Sequence, residues 1–277
     1  MATHRMIGAA RFVFVVGTPG AGKSLICQEL EQVLKGNDFK CARQGDYPFL
    51  QFLYRTDMDG GRRDRFKSDP KSEFVVLDPA MYDRALELVY DNILKPSMEP
   101  RTIKIIEFSR PRYDTAFLYY TLEALGHSVI IHASAPIQVC IERNERRKSM
   151  LERRLKGSYA SQVFDEDPDV HYVPPSVMSN FYAKDDAEDE QRSRDQKMVL
   201  SLMPARSYFC LDNTDDDRDL FRATVRQVSE EELLPLFERG ESYEAYYHRR
   251  REQLRATMES IAHSPNTGEL LLQTTMA

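Results

Sequence analysis

A chain of 277 residues with 42% hydrophobic content can bury the core of one large domain with an insertion or appendage, and a net charge of −6 excludes overall attraction to nucleic acid or an anionic membrane. Four scattered cysteines (Cys27, Cys41, Cys140, Cys210) without C-x-x-C spacing or paired His ligands suggest neither a zinc site nor a disulfide framework and read as small core residues. With no basic-then-apolar leader and no apolar run near the roughly 18 residues of a membrane span, the expectation is a cytoplasmic protein.

In chain order, short apolar runs bounded by turn residues predict strands over 11–16, 39–44, 101–108, 128–133 and 207–211. Amphipathic spacing predicts helices over 23–34, 79–94, 113–125, 136–155 and 217–228. Continuous apolar strands alternating with helices call for a five-stranded parallel sheet with helices on both faces, a three-layer α/β fold. Two stretches break the alternation. Residues 45–78, with the aromatic cluster Tyr47, Phe49, Phe52 and Tyr54, read as an insertion in the acceptor region. Residues 157–195, acidic and weakly periodic after an arginine-rich helix, read as a mobile lid. The main domain is thus placed at 1–228 and a C-terminal helical extension at 229–277. Its 241–261 helix is expected to dock on the surface, or alternatively to pair with a second copy.

Directly after the first strand stands Gly17-Thr18-Pro19-Gly20-Ala21-Gly22-Lys23-Ser24, the full G-x-x-x-x-G-K-[ST] pattern between a strand and a helix. Glycines let the backbone wrap phosphate oxygens, and the helix presents its positive N-terminal end. Lys23 would reach the β- and γ-phosphates and the Ser24 hydroxyl would hold Mg2+. The cofactors expected are therefore ATP and Mg2+.

Carboxylates at strand ends are the candidates for the metal's water shell or the nucleophile, because ligands of open α/β sheets sit outside the carboxyl ends of the strands. Glu107 is the first candidate for general base or metal-linked carboxylate, and Asp46 the second; Glu107 could instead cap a turn or pair with an arginine. Arg110 and Arg112 could clamp an acceptor phosphate. Arg143 and Arg147, four apart on one helix face, could swing over the β- and γ-phosphates, against the alternative of a solvated charged helix.

These residues resemble the P-loop nucleoside and nucleotide kinases, in the broad sense that includes adenylate-, thymidylate- and deoxynucleoside-kinase-like enzymes. "GTPGAGKS" matches the kinase form of the loop, and "IIEFSRPR" resembles the third-strand motif with its acidic residue and acceptor-contacting arginine. "SVIIHASAPIQVCIERNERR" looks like the next strand and the helix before the lid, and "YFCLDNTDDD" like the last strand, whose turn would carry Asn213 near the adenine. The resemblance covers roughly 11–228.

It implies phosphoryl transfer from ATP to a small acceptor, a nucleoside or nucleoside monophosphate, with Asp46, Tyr47, Arg110 and Arg112 on the acceptor side. Two other readings stand beside it. A nucleotide-dependent switch or adaptor ATPase is motivated by the C-terminal extension and the charged lid segment. A kinase acting on a nucleic-acid end or a tRNA-linked acceptor is motivated by Arg62, Arg63, Arg65 and Lys67, and ranks lowest given the acidic net charge.

Overall fold

The structure, a computed structural model, describes residues 6–7, 10–69, 73–93, 101–155, 172–238 and 241–242, with scattered positions between 248 and 259. Strand β1 (Met6–Ile7) precedes β2 (Phe12–Gly17), helix α1 (Lys23–Gly36) and β3 (Lys40–Gly45). Helix α2 (Tyr47–Asp59), the hairpin β4 (Phe66–Asp69) and β5 (Glu73–Val76), and α3 (Ala80–Ile93) lead to β6 (Thr102–Phe108). Two short helices, α4 (Tyr113–Ala116) and α5 (Leu122–Gly126), precede β7 (Ser128–Ser134) and α6 (Ile137–Leu155). Then come α7 (Asp186–Leu202), β8 (Ser207–Asp212), α8 (Arg218–Val228), α9 (Leu234–Glu238) and β9 (Glu241–Ser242), the last antiparallel to β1.

The principal sheet has the order β3-β6-β2-β7-β8 and is parallel throughout. Alternation along β2 sorts the core into two faces. Val13 and Val15 pack with Ile26, Leu30 and Leu34 of α1 and with Phe221 and Val225 of α8. Phe14 and Val16 pack on the other face with Leu86, Val89 and Phe117 and with Leu200 of α7. Helices therefore cover both faces, and the loops after β2, β3, β6 and β8 gather along the carboxyl edge of the sheet, where ligands of such folds bind. This is the expected three-layer α/β P-loop fold. Among the described residues, no helix is long and apolar enough to cross a membrane.

Several features depart from the sequence reading or add to it, for physical reasons. The helix expected over 113–125 breaks at its middle, because Phe117 and Tyr120 both turn inward onto Phe14 and Phe108, a three-residue spacing that suits a 3₁₀ turn. Thr121 then caps α5 by accepting from the Ala124 N–H, and Leu118 and Leu122, which completed the apolar pattern, lie 80% and 77% exposed. The 45–78 insertion is α2 plus the hairpin, with a small core of its own around Leu50, Phe66, Phe74, Met81 and Ala85 and a buried Asp57 pairing Arg65 across it.

The expected mobile lid is, in its last ten residues, the start of α7. Asp185 accepts from the Glu188 N–H at 2.8 Å while Glu188 accepts from the Lys184 N–H at 2.8 Å, a reciprocal cap. The buried face of α7 is largely polar (Asp189, Gln196, Leu200, Ser201), so no apolar period announces it. Residues 157–171 lie outside the described residues, as does most of the expected 241–261 helix and with it the pairing surface. The first part of the 229–277 stretch puts Leu233 and Phe237 into the same core cluster as β2 and α1.

Candidate active site

The loop between β2 and α1 takes the form its glycines allow. Gly17, Gly20 and Gly22 have φ of 154°, 89° and 104°, a region that side-chain-bearing residues rarely adopt. Their neighbours also leave no room: a Cβ on Gly20 would lie 2.6 Å from the Cys140 carbonyl oxygen, and one on Gly22 would run into the Asn213 amide. Helix α1 begins here with no acidic residue in its first turn, so its positive end faces the loop uncompensated.

Lys23 is 7% exposed and its ammonium donates to the Thr18 carbonyl at 3.2 Å. Burial lowers its pKa below the usual lysine value, while Glu107 and then Asp46 push it back up and Arg147 lowers it again. All three side chains are thus within electrostatic reach of the lysine.

Glu107 stands at the end of β6, the strand beside β2, in register with Val15. The Ser24 hydroxyl donates to Glu107 Oε1 at 3.2 Å, the Cys27 thiol lies 3.6 Å from Oε2, and Arg43 pairs with Oε2 at 2.5 Å. Glu107 thus makes the arginine pair that the sequence left open as an alternative, and its place beside Ser24 also suits the metal-linked role. A hydroxyl and a carboxylate side by side behind the loop are the oxygen donors a hydrated Mg2+ takes from protein, the rest coming from phosphate and water. A nucleoside triphosphate with Mg2+ thus fits the residues present.

These groups open onto a cleft of about 960 Å³ that reaches Arg43, Asp46, Tyr47, Arg143, Arg147 and Asn213. On one flank, Arg143 donates to the Asp215 carbonyl at 2.9 Å and pairs with Asp216, which Arg146 also holds at 2.6 Å. Arg143 therefore ties α6 to the loop after β8. Arg147, one turn on, is the α6 arginine whose charge Lys23 feels. Asn213 is 8% exposed and donates to the Ala21 carbonyl at 2.8 Å, so it braces the loop from behind.

On the other flank, Asp46 follows β3 and caps no helix with its side chain; it pairs instead with Arg110 at 2.5 Å. Arg110 is 5% exposed, donates also to the Tyr82 carbonyl at 2.5 Å and lies over the Tyr82 ring. Beside this pair is a second, smaller cavity of about 100 Å³ reaching Phe74, Tyr172 and Tyr182, and bounded like the cleft by Pro19, Asp46, Tyr47 and Ser109. Asp46 therefore sits at the junction of two cavities. Tyr47 and Tyr54 stack on Phe74 with centroids 5.8 and 4.9 Å away, so the aromatic cluster is partly self-satisfied, and Phe52 faces solvent.

Arg112 is the expected site residue that the structure does not bring in. Its side chain is 71% exposed and pairs with Asp114 two residues on, bordering neither cavity. Pro111 turns the chain between the two arginines, sending only Arg110 inward.

Sequence reading missed a brace on α7. Arg192, with a side chain 9% exposed, donates to the Thr18 hydroxyl at 2.9 Å and to Gln196 Oε1 at 2.9 Å, and pairs with Asp189. Gln196 donates to the carbonyls of Arg110 and Pro111 at 3.2 and 3.1 Å, and Asp189 accepts from the Ile137 N–H at 2.8 Å. The spacing 189, 192, 196 puts all three on one helical face. One helix thereby holds the loop, the end of β6 and the start of α6. Asn144 adds a further tie, donating to the Pro19 carbonyl at 3.3 Å.

No protein-family model matches the sequence, and comparison with curated proteins gives no match. Among solved structures, the chain is similar to a sugar kinase from Janibacter sp. HTCC2649 in an unliganded structure, with 16% identity and a TM-score of 0.45 over 82% of this chain and 96% of that one. It is also similar to Kti12 from Chaetomium thermophilum in complex with ADP-AlF3, with 18% identity and a TM-score of 0.45 over 79% and 95%. A gluconokinase from Sinorhizobium meliloti 1021 shares 11% identity with a TM-score of 0.42 over 87% and 98%. The likeness is one of overall course, and the P-loop fold follows from the sheet order and the loop themselves.

Proposed function

We propose that the chain is an ATP-dependent phosphotransferase acting on a small acceptor, with nucleosides and nucleoside monophosphates as the acceptors to try first. The observation that carries this reading is the placement of Asp46. It lies within the field of Lys23, yet faces a second, aromatic-walled cavity that the triphosphate does not need.

In this reading the loop amides and Lys23 hold the transferring phosphates, and Arg147 adds charge complementary to them. Ser24 and Glu107 would hold Mg2+, which, when bound, would neutralise phosphate charge. Arg143 and the loop after β8 flank the donor's base, and Asp46 and Arg110 orient the acceptor. Arg112 plays no part. The α7 brace fixes the distance between the donor loop and Arg110, which matters because transfer is governed by position more than by covalent chemistry.

The test is ADP release with ATP, Mg2+ and a panel of nucleosides and nucleotides. Release that depends on one acceptor class supports the reading. ADP release at the same rate with every acceptor and with none would overturn it in favour of a nucleotide-driven switch.

A further inference from the structure

The charges where the two cavities meet distinguish an alcohol acceptor from a phosphate acceptor. Each acceptor makes a different demand there. A phosphomonoester, with a second pKa near 6, reaches the reaction largely as a dianion with no proton to lose, and needs unneutralised cations between itself and the donor. A hydroxyl brings no charge and must lose its proton, so it needs a base within hydrogen-bond reach.

The smaller cavity meets the second demand and not the first. Its one cationic side chain among the described residues, Arg110, is 5% exposed and already neutralised by Asp46 at 2.5 Å. That pairing engages Asp46 Oδ2, and a carboxylate has further lone pairs with which to take a proton. The other described residues of the wall are uncharged, among them Tyr82, Tyr172, Tyr182, Phe74 and the Ser109 hydroxyl. Burial raises the pKa of Tyr82 and lifts that of Tyr182 further, so both present neutral phenols. A cavity of about 100 Å³ has roughly the volume of three waters in the liquid and suits the reacting end of a ring compound.

We propose that the acceptor is an uncharged, hydroxyl-bearing ring compound and not a phosphomonoester, with its hydroxyl delivered to Asp46. This rests on the phosphotransferase reading and narrows it. In the step, the acceptor oxygen forms a bond to the γ-phosphorus as the bond from that phosphorus to the β–γ bridging oxygen breaks. ADP leaves with the electron pair, and the hydroxyl proton passes to the Asp46 carboxylate and then to solvent. Nucleosides and pyranose sugars share this chemistry.

The test measures transfer of the labelled γ-phosphate to three sets of compounds: nucleosides, pyranose sugars, and the monophosphates of both. The expected result is transfer to one of the two uncharged sets, with kcat/KM at least about a hundredfold above that of its monophosphates. Equal or better transfer to monophosphates overturns this proposal and leaves the phosphotransferase reading intact; no transfer to any compound overturns both. A second measurement needs no turnover. Asp46→Asn leaves the Arg110 charge unneutralised, so calorimetric binding of the monophosphate should tighten about tenfold relative to binding of the uncharged parent. An unchanged ratio of the two affinities in that variant counts against the charge argument.

Discussion

The donor and acceptor sides of the cleft are built in different ways. The donor side is almost one contiguous piece: eight residues, Gly17 to Ser24, most of whose work is done by backbone, running from the end of β2 into the start of α1. The acceptor side is assembled from side chains that start far apart in the chain, Asp46 after β3, Tyr82 on α3, Arg110 after β6 and Tyr182 in the strap before α7, and it holds together only when the sheet has formed. A backbone-built site tolerates change around it and fails at single residues. A side-chain-built site depends on the braces that bring its parts together.

The largest effect should fall on the donor side. Lys23→Ala is expected to lower transfer about 10²–10³-fold, the cost of losing one well-placed charge from a transferring phosphoryl group, with little change in melting temperature. Turnover within tenfold of the parent would mean that the contiguous loop is not the donor site.

The brace gives the next effect. Arg192→Met should lower kcat for transfer about tenfold while the donor KM stays within threefold, because Arg192 sets the position of Thr18 and, through Gln196, of Arg110. Arg192→Lys should recover only part of the loss, since one ammonium cannot serve Thr18 and Asp189 as two guanidinium nitrogens do. Combining Arg192→Met with Thr18→Val should cost little more than either alone. Strictly additive losses would show that the two residues act separately.

The smallest effect concerns the sheet beneath both sides. His132 on β7 is 2% exposed, and burial pushes its pKa down to about 3. Between the ordinary histidine pKa of about 6.5 and that value, the unfolded chain binds a proton that the folded one does not. Stability should therefore fall as pH drops through this window. Denaturant melts of His132→Gln between pH 7 and 4 should give the flatter curve; parallel curves would show that His132 does not carry the acid sensitivity.

What could be read in advance follows the same division. Five strands and the loop were legible because each is a local pattern, an apolar run or a fixed glycine spacing. Lys23 and Ser24 were singled out by that glycine spacing, and Glu107 by its place at a strand end. Arg112 misled because it lies two residues from Arg110, and only the turn at Pro111 decides which of the two points inward. Arg192 and Gln196 left no trace, since a helix with a polar buried face has no apolar period to announce it. The tie from Asn213 to the loop was not legible for a related reason: its partner, the Ala21 carbonyl, is 192 residues away.

The central claim is that Asp46 stands between a phosphate donor and an acceptor hydroxyl. Single-turnover partition of labelled γ-phosphate between acceptor and water, in the parent protein and in Asp46→Asn, tests it most directly. The account predicts label on the acceptor in the parent, and in Asp46→Asn intact ATP still bound with affinity within threefold. Label appearing as inorganic phosphate at the same rate in both proteins, whether or not acceptor is present, would contradict it.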